Sequence, residues 1–99
     1  MNRAGIYAAI DVERARQAEK WGRSHEWGEG DCSSRTIAPI VKVAVLAEEC
    51  GEVARAALAW DQHATWDELV QVAAVAVAWM ESYPDWEQEG ESLWQSATN

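Results

Sequence analysis

Glu48, Glu49 and Glu52 stand together in the run Glu48-Glu49-Cys50-Gly51-Glu52. On a helix, at about 100° per residue, Glu49 and Glu52 share one face. Glu48 points away from them, towards solvent or another chain. Carboxylates at this spacing repel one another by about 0.3 kcal/mol in water. The repulsion grows beside apolar surface, and a divalent cation would reverse its sign. Mg²⁺ takes oxygen ligands and keeps several waters, so two to four carboxylates suffice to hold it. Glu68 and Gln71 are again three apart. If the two segments are antiparallel helices, these pairs can face each other across an oxygen-lined site. Plainer readings stand beside this one. A glutamate-rich face can be solvated surface, Glu68 can serve a helix cap, and Gln71 can hydrogen-bond within the core. Cys50 falls in an apolar stripe and reads as a small buried hydrophobe. His25 and His63 belong to no metal-ligand spacing.

The elements that would position these groups are helical. A first helix is expected from Ala4 to Trp21, ended by Gly22. Glycines, serines and charges mark Gly22 to Arg35 as a loop, which carries His25, Trp27 and Asp31. A second helix is expected from Pro39, favourable near a helix start, to about Trp60. Its apolar stripe reads Val43, Leu46, Cys50, Val53, Ala57, Trp60. Lys42 lies two turns before Glu49 on almost the same line. Thr65-Trp66-Asp67-Glu68 fits a capping box, so a third helix is expected from Thr65 to about Ser82. Between Leu69 and Met80 the only polar side chain is Gln71, which makes this helix the centre of the core. A weaker segment from Pro84, interrupted by Gly90, reads as a short helix with a frayed tail. No segment alternates as a strand would.

Composition sets the limits. The 99 residues amount to one domain, small enough that its own core is marginal and oligomerisation a common remedy. Large apolar volume comes from seven tryptophans, with no phenylalanine. The net charge of −9, with no basic patch, argues against a nucleic-acid polymer as partner. A single nucleotide is different, because a metal ion can bridge carboxylates to its phosphates. Cys32 and Cys50 form neither a disulfide framework nor a zinc pattern. The N-terminal stretch lacks the apolar region of a signal peptide, and no apolar run is long enough to span a bilayer. A cytoplasmic location is expected, with no membrane partner.

Taken together, these residues resemble the MazG-like nucleotide pyrophosphohydrolases of the all-α NTP-pyrophosphatase superfamily. Residues 42–53, from Lys42 to Val53, look like the family's E-E-x-x-E helix, including the glycine before the last glutamate. Residues 67–79, from Asp67 to Trp79, look like its second metal helix. Residues 13–22 followed by His25 and Trp27 are similar to the start of the phage- and mobile-element-associated branch. The likeness covers most of residues 6–82. It implies an all-α bundle of three to four helices per chain, completed in a homodimer or homotetramer. It implies Mg²⁺-dependent hydrolysis of a nucleoside triphosphate to the monophosphate and pyrophosphate, with Mn²⁺ as a substitute, in house-cleaning of aberrant nucleotides. Carried over by position, Glu49, Glu52 and Glu68 match metal ligands, and Gln71 stands where the family has aspartate. An amide oxygen can still ligate Mg²⁺ but removes one negative charge. Within that reading Glu48 is a water-orienting base, and Lys20 and Lys42 contact phosphate. Trp21, His25 and Trp27 form a stacking pocket for the base, or else the tryptophans pack the core or an interface. Two other readings remain: a nucleotide- or metal-binding module weakened in catalysis, and a structural helical oligomer.

Overall fold

In the computed structural model, which describes residues 1–84, three long helices are linked by a loop and a tight turn. The fold is all-α, as expected. Helix α1 spans Arg3–Trp21 and starts at Asn2, whose Oδ1 accepts the Gly5 N–H at 2.9 Å. That bond satisfies a backbone donor the helix cannot. The helix stops at Gly22, where any Cβ would collide with the carbonyl oxygen of Ala18.

The following loop holds an element that the sequence did not announce. Strand β1, Ser24–His25, pairs antiparallel with β2, Gly28–Glu29. Two-residue strands are too short to show alternation. Gly28 has φ +135°, and a Cβ there would lie 2.8 Å from Ile37 Cδ1. The backbone turn therefore requires glycine, and a side chain there would also push the Ile37 methyl aside.

Helix α2 spans Pro39–Leu58 and begins with proline rather than a side-chain cap. Its end is a Schellman turn: the Trp60 N–H bonds Ala57 O at 3.0 Å, and the Asp61 N–H bonds Ala56 O at 3.1 Å. Trp60 sits in the left-handed region with φ 57°, which costs a side-chain-bearing residue about 1 kcal/mol. Trp60→Gly is expected to stabilise the protein by about 0.5 kcal/mol, once glycine's greater freedom in the unfolded chain is set against that strain. Urea denaturation checks this; a loss of stability would mean the indole makes contacts worth more than the strain.

Helix α3 spans Gln62–Glu81, beginning a turn earlier than the Thr65 capping box predicts. Asp61 is the cap, its Oδ1 accepting the Ala64 N–H at 2.9 Å. The Thr65 hydroxyl instead donates back to Asp61 O at 2.7 Å. The capping box does not form, and Glu68 lies well inside the helix, with no cap to serve.

Helix α3 packs against both α1 and α2. Among the described residues the buried apolar ones are Ile37 from the loop with Ala74, Val75 and Ala78 from α3. The central place expected for residues 69–80 is thus found, yet Leu69, Val77 and Met80 remain exposed on the helix's other side. On α2 the residues turned inward are Val41, Lys42, Val45, Leu46, Glu49, Glu52, Val53 and Ala56. This face is rotated by about 70° from the stripe read in the sequence. Val43, Cys50, Ala57 and Trp60 are exposed, so Cys50 is not the buried hydrophobe expected. The helix is apolar around most of its circumference, so apolar periodicity could not choose the side. Among the described residues, no helix is long and apolar enough to cross a membrane. The short helix expected from Pro84, with Trp86, Gly90 and Trp94, lies outside the described residues.

Candidate functional site

The inward face of α2 does not simply fill a core. It borders a cavity of about 350 Å³, within the usual size range of small-molecule sites. Helix α1 supplies Glu13, Arg16, Gln17, Lys20 and Trp21 to its wall, one face at helical spacing. Helix α2 supplies Val41, Val45, Glu48 and Glu49, and α3 supplies Gln71 and Val75. The loop closes it with residues that include His25, Trp27, Asp31 and Ile37.

Seven of the residues singled out from sequence therefore meet on one wall: Lys20, Trp21, His25, Trp27, Glu48, Glu49 and Gln71. Glu48 was expected to face away; it lines the cavity because α2 is rotated from its apparent stripe. Glu52, Glu68 and Lys42 are not on the wall. Glu52 and Glu68 still act on Glu49 through their charges. Lys42 is 3% exposed. Burial pulls its ammonium below the ordinary lysine range, against the charge of Asp31. A buried amine off the cavity wall is poorly placed to hold phosphate.

The acidic pair at the centre is short of partners. Glu49 Oε2 and Glu68 Oε2 are both buried without a hydrogen bond, a state that buried polar atoms rarely adopt. Burial pushes the Glu49 carboxyl above its usual range, and the facing charges of Glu68, Glu48, Glu52 and Glu13 push it further. Two orphaned acceptor oxygens in an anionic setting fit a cation. Glu52 is held by Arg55 at 3.1 Å on the helix surface. Among the described residues no three His, Cys, Asp or Glu side chains converge as a preformed cluster. Glu49 and Glu68 act on each other through their charges.

His25 has a different job from a ligand. Its Nδ1 accepts the Trp27 N–H at 3.2 Å, and Nε2 lies 2.7 Å from Gly30 O. Since a backbone N–H can only donate, Nδ1 is the acceptor and Nε2 carries the proton. Both nitrogens are spent bracing the loop. The ring meets Trp21 edge-on at 6.1 Å between centroids, and Lys20 Nζ lies 5.3 Å from the centre of the Trp21 ring. The result is a cationic and aromatic group on the same cavity wall as Glu49.

Two features, one on the wall and one behind it, escaped the sequence reading. Arg16 is clamped by Glu13 through two hydrogen bonds of 2.8 and 2.7 Å, and its guanidinium feels the charge of Glu49. Its signal was available, as the position one turn before Lys20. Arg14 ties the structure together from behind: Nη1 donates to Asp31 Oδ2 at 3.0 Å and Nε to Glu81 Oε1 at 2.8 Å. Asp31 also accepts from the Ser33 N–H and hydroxyl. Burial opposes its charge, but these bonds and Arg14 outweigh burial and hold its carboxyl below the usual range. Burial keeps the neighbouring Cys32 thiol protonated, with Asp31 adding to the effect. That makes Cys32 a poor nucleophile. The chain matches no known protein family, no curated protein and no solved structure with which it was compared.

Proposed function

We propose that this cavity is a nucleoside triphosphate site and that the protein hydrolyses its ligand, with Mg²⁺ or Mn²⁺, to a monophosphate and pyrophosphate. The observation that carries the reading is the pair of buried, unpartnered oxygens on Glu49 and Glu68, beside a cavity with an aromatic and cationic rim. The motif likeness to MazG-like pyrophosphohydrolases, carried by the same glutamates, agrees with it. In this reading Glu49 and Glu68 hold the cation, joined by Glu52 and by the amide oxygen of Gln71. The bound cation would draw charge from the phosphates and ease ionisation of a water. Glu48, exposed on the same wall, accepts the proton of the attacking water. Arg16 and Lys20 face the phosphates. Trp21 and Trp27 stack on the base, and His25 holds Trp27 in place. A homo-oligomer of two or four chains in the cytoplasm completes the reading.

A pyrophosphate-release screen of common and modified nucleoside triphosphates tests it. Turnover of at least one with Mg²⁺ or Mn²⁺ is expected; turnover of none contradicts the enzyme reading. Gln71 favours a second reading, a site that binds metal and nucleotide but no longer turns over. That reading predicts thermal stabilisation by nucleotide without pyrophosphate release. The two share one prediction. Gln71→Asp adds a charge beside the pair, and at surface-like dielectric such a charge is worth a kcal/mol or more at about 4 Å. Mg²⁺ affinity is expected to rise about tenfold, which calorimetry reads directly.

A further inference from the structure

Gln17 is a polar side chain on the cavity wall that the proposed hydrolysis leaves without work. It sits on α1 one turn before Trp21, on the same helix face, and lines the cavity with it. Its amide is half engaged. Arg14 Nη1 donates to Gln17 Oε1 at 3.4 Å, and the same nitrogen donates to Asp31 Oδ2 at 3.0 Å. A guanidinium has donors only, so the half of the amide that faces it is the oxygen; the NH₂ group would set donor against donor. Arg14 is itself fixed, 12% exposed and held through Nε by Glu81. The amide cannot turn over without losing that bond. Nε2 is the half left over. It makes no hydrogen bond among the described residues, and, unlike the unpartnered oxygens of Glu49 and Glu68, it is not sealed from solvent.

What a glutamine can read depends on which half of its amide is free. Its usual match to adenine uses both: the NH₂ group donates to a ring nitrogen, and the oxygen accepts from the exocyclic amine. Here the oxygen is taken and only the donor remains. Neighbouring acceptors are engaged as well. Asp31 accepts from Arg14 and from both the N–H and the hydroxyl of Ser33, and Gly30 O accepts from His25 Nε2. A base seated against Trp21 at this end therefore meets a free donor and occupied acceptors. A ring carbonyl satisfies that donor. An amine set there would stay unpaired, at the cost of its desolvation.

We infer that Gln17 reads the base of the bound nucleotide: its Nε2 selects a base that presents a carbonyl and selects against adenine, the common base that has none. The inference rests on the nucleotide reading of the cavity and adds the class of base.

Two purines of equal size test it, because hypoxanthine carries a carbonyl where adenine carries an amine. The probes are the α,β-imido analogues of deoxyinosine and deoxyadenosine triphosphate, which resist cleavage between the first two phosphates. Each is titrated by calorimetry in the presence of Mg²⁺. The wild type is expected to bind the hypoxanthine analogue about tenfold more tightly, as one unpaired polar group costs. Gln17→Glu keeps an oxygen for Arg14 and turns the free donor into an acceptor. It is expected to bring that ratio to one or below, whatever the added charge does to both affinities together. Equal affinities in the wild type, or a ratio that Gln17→Glu leaves unchanged, overturn the role of Gln17 and leave the nucleotide reading standing. Binding of neither analogue overturns both. If Gln17→Glu loses its helical circular dichroism, the ratio in Gln17→Met decides: a fall to about one upholds the inference, and an unchanged ratio overturns it.

Discussion

Replacing Glu49 with glutamine is expected to do two opposite things at once: stabilise the metal-free protein and remove its nucleotide hydrolysis. The first effect follows from the charges around it. Glu49 is inward-facing, with one buried oxygen unpartnered, and is surrounded by Glu68, Glu48, Glu52 and Glu13. Each like-charge neighbour at helical spacing costs a few tenths of a kcal/mol, so neutralising Glu49 should add about 1 kcal/mol. An ordinary structural glutamate behaves in the opposite way, because its removal breaks a bond. The second effect follows from the proposed role. Losing a cation ligand removes the charge that offsets the phosphates, and outer partners of metal sites alone are worth about 10–100-fold. A loss of at least a hundredfold in pyrophosphate release is expected. Glu68→Gln should behave alike. Urea denaturation and the release assay on the same samples check both halves. Destabilisation on Glu49→Gln would mean that its carboxylate has a partner within the fold.

The second large effect concerns the scaffold. Asp31→Ala is expected to cost about 3 kcal/mol, a fall of well over 10 °C in melting temperature for a domain of this size. Arg14 and Asp31 are only 12% and 8% exposed, so removing one leaves a buried charge without its main partner. Glu81, the other partner of Arg14, is 51% exposed. Glu81→Ala should cost less than about 1 kcal/mol, as surface pairs do. The Asp31 carboxyl is held below its ordinary value of 3.8. Its contribution is therefore complete above that value and is lost as the pH falls through the lower folded-state value, because the unfolded chain takes up the proton first. Stability measured from pH 7 to pH 3 should fall at the acid end, and in Asp31→Asn that component of the fall should be absent. Equal costs for Asp31→Ala and Glu81→Ala would refute the assignment of the buried partner.

Much of this was legible in the sequence, and the rest was hidden for identifiable reasons. Glycine at 22 and proline at 39 marked helix ends correctly, because each acts through its own backbone. The start of α3 was misplaced because Asp61 and Thr65 are both good caps one turn apart; the turn after α2 delivers Asp61 to that position. The inward face of α2 was misjudged because apolar residues surround most of the helix. The side that faces the cavity carries Val41 and Val45 as well as Glu48 and Glu49, so neither apolar nor charged residues alone mark it. Glu48 was misdirected for the same reason. The bracing by His25 and the Arg14–Asp31 pair left no periodic trace, since each depends on how a loop folds back rather than on spacing within a helix. What the sequence did convey was much of the wall: seven of the residues singled out, several of them through the family resemblance, line one cavity, while Lys42, Glu52 and Glu68 do not.

The account stands most directly on one titration. Thermal unfolding of the wild type and of the Glu49→Gln/Glu68→Gln double variant should be followed as Mg²⁺ rises from zero to millimolar. The wild type is expected to start lower and to climb with the logarithm of Mg²⁺ once its dissociation constant is passed. The variant should start higher and stay level. Parallel curves, or a wild type indifferent to Mg²⁺ and Mn²⁺ alike, would contradict the claim that the Glu49–Glu68 pair is the seat of a divalent cation.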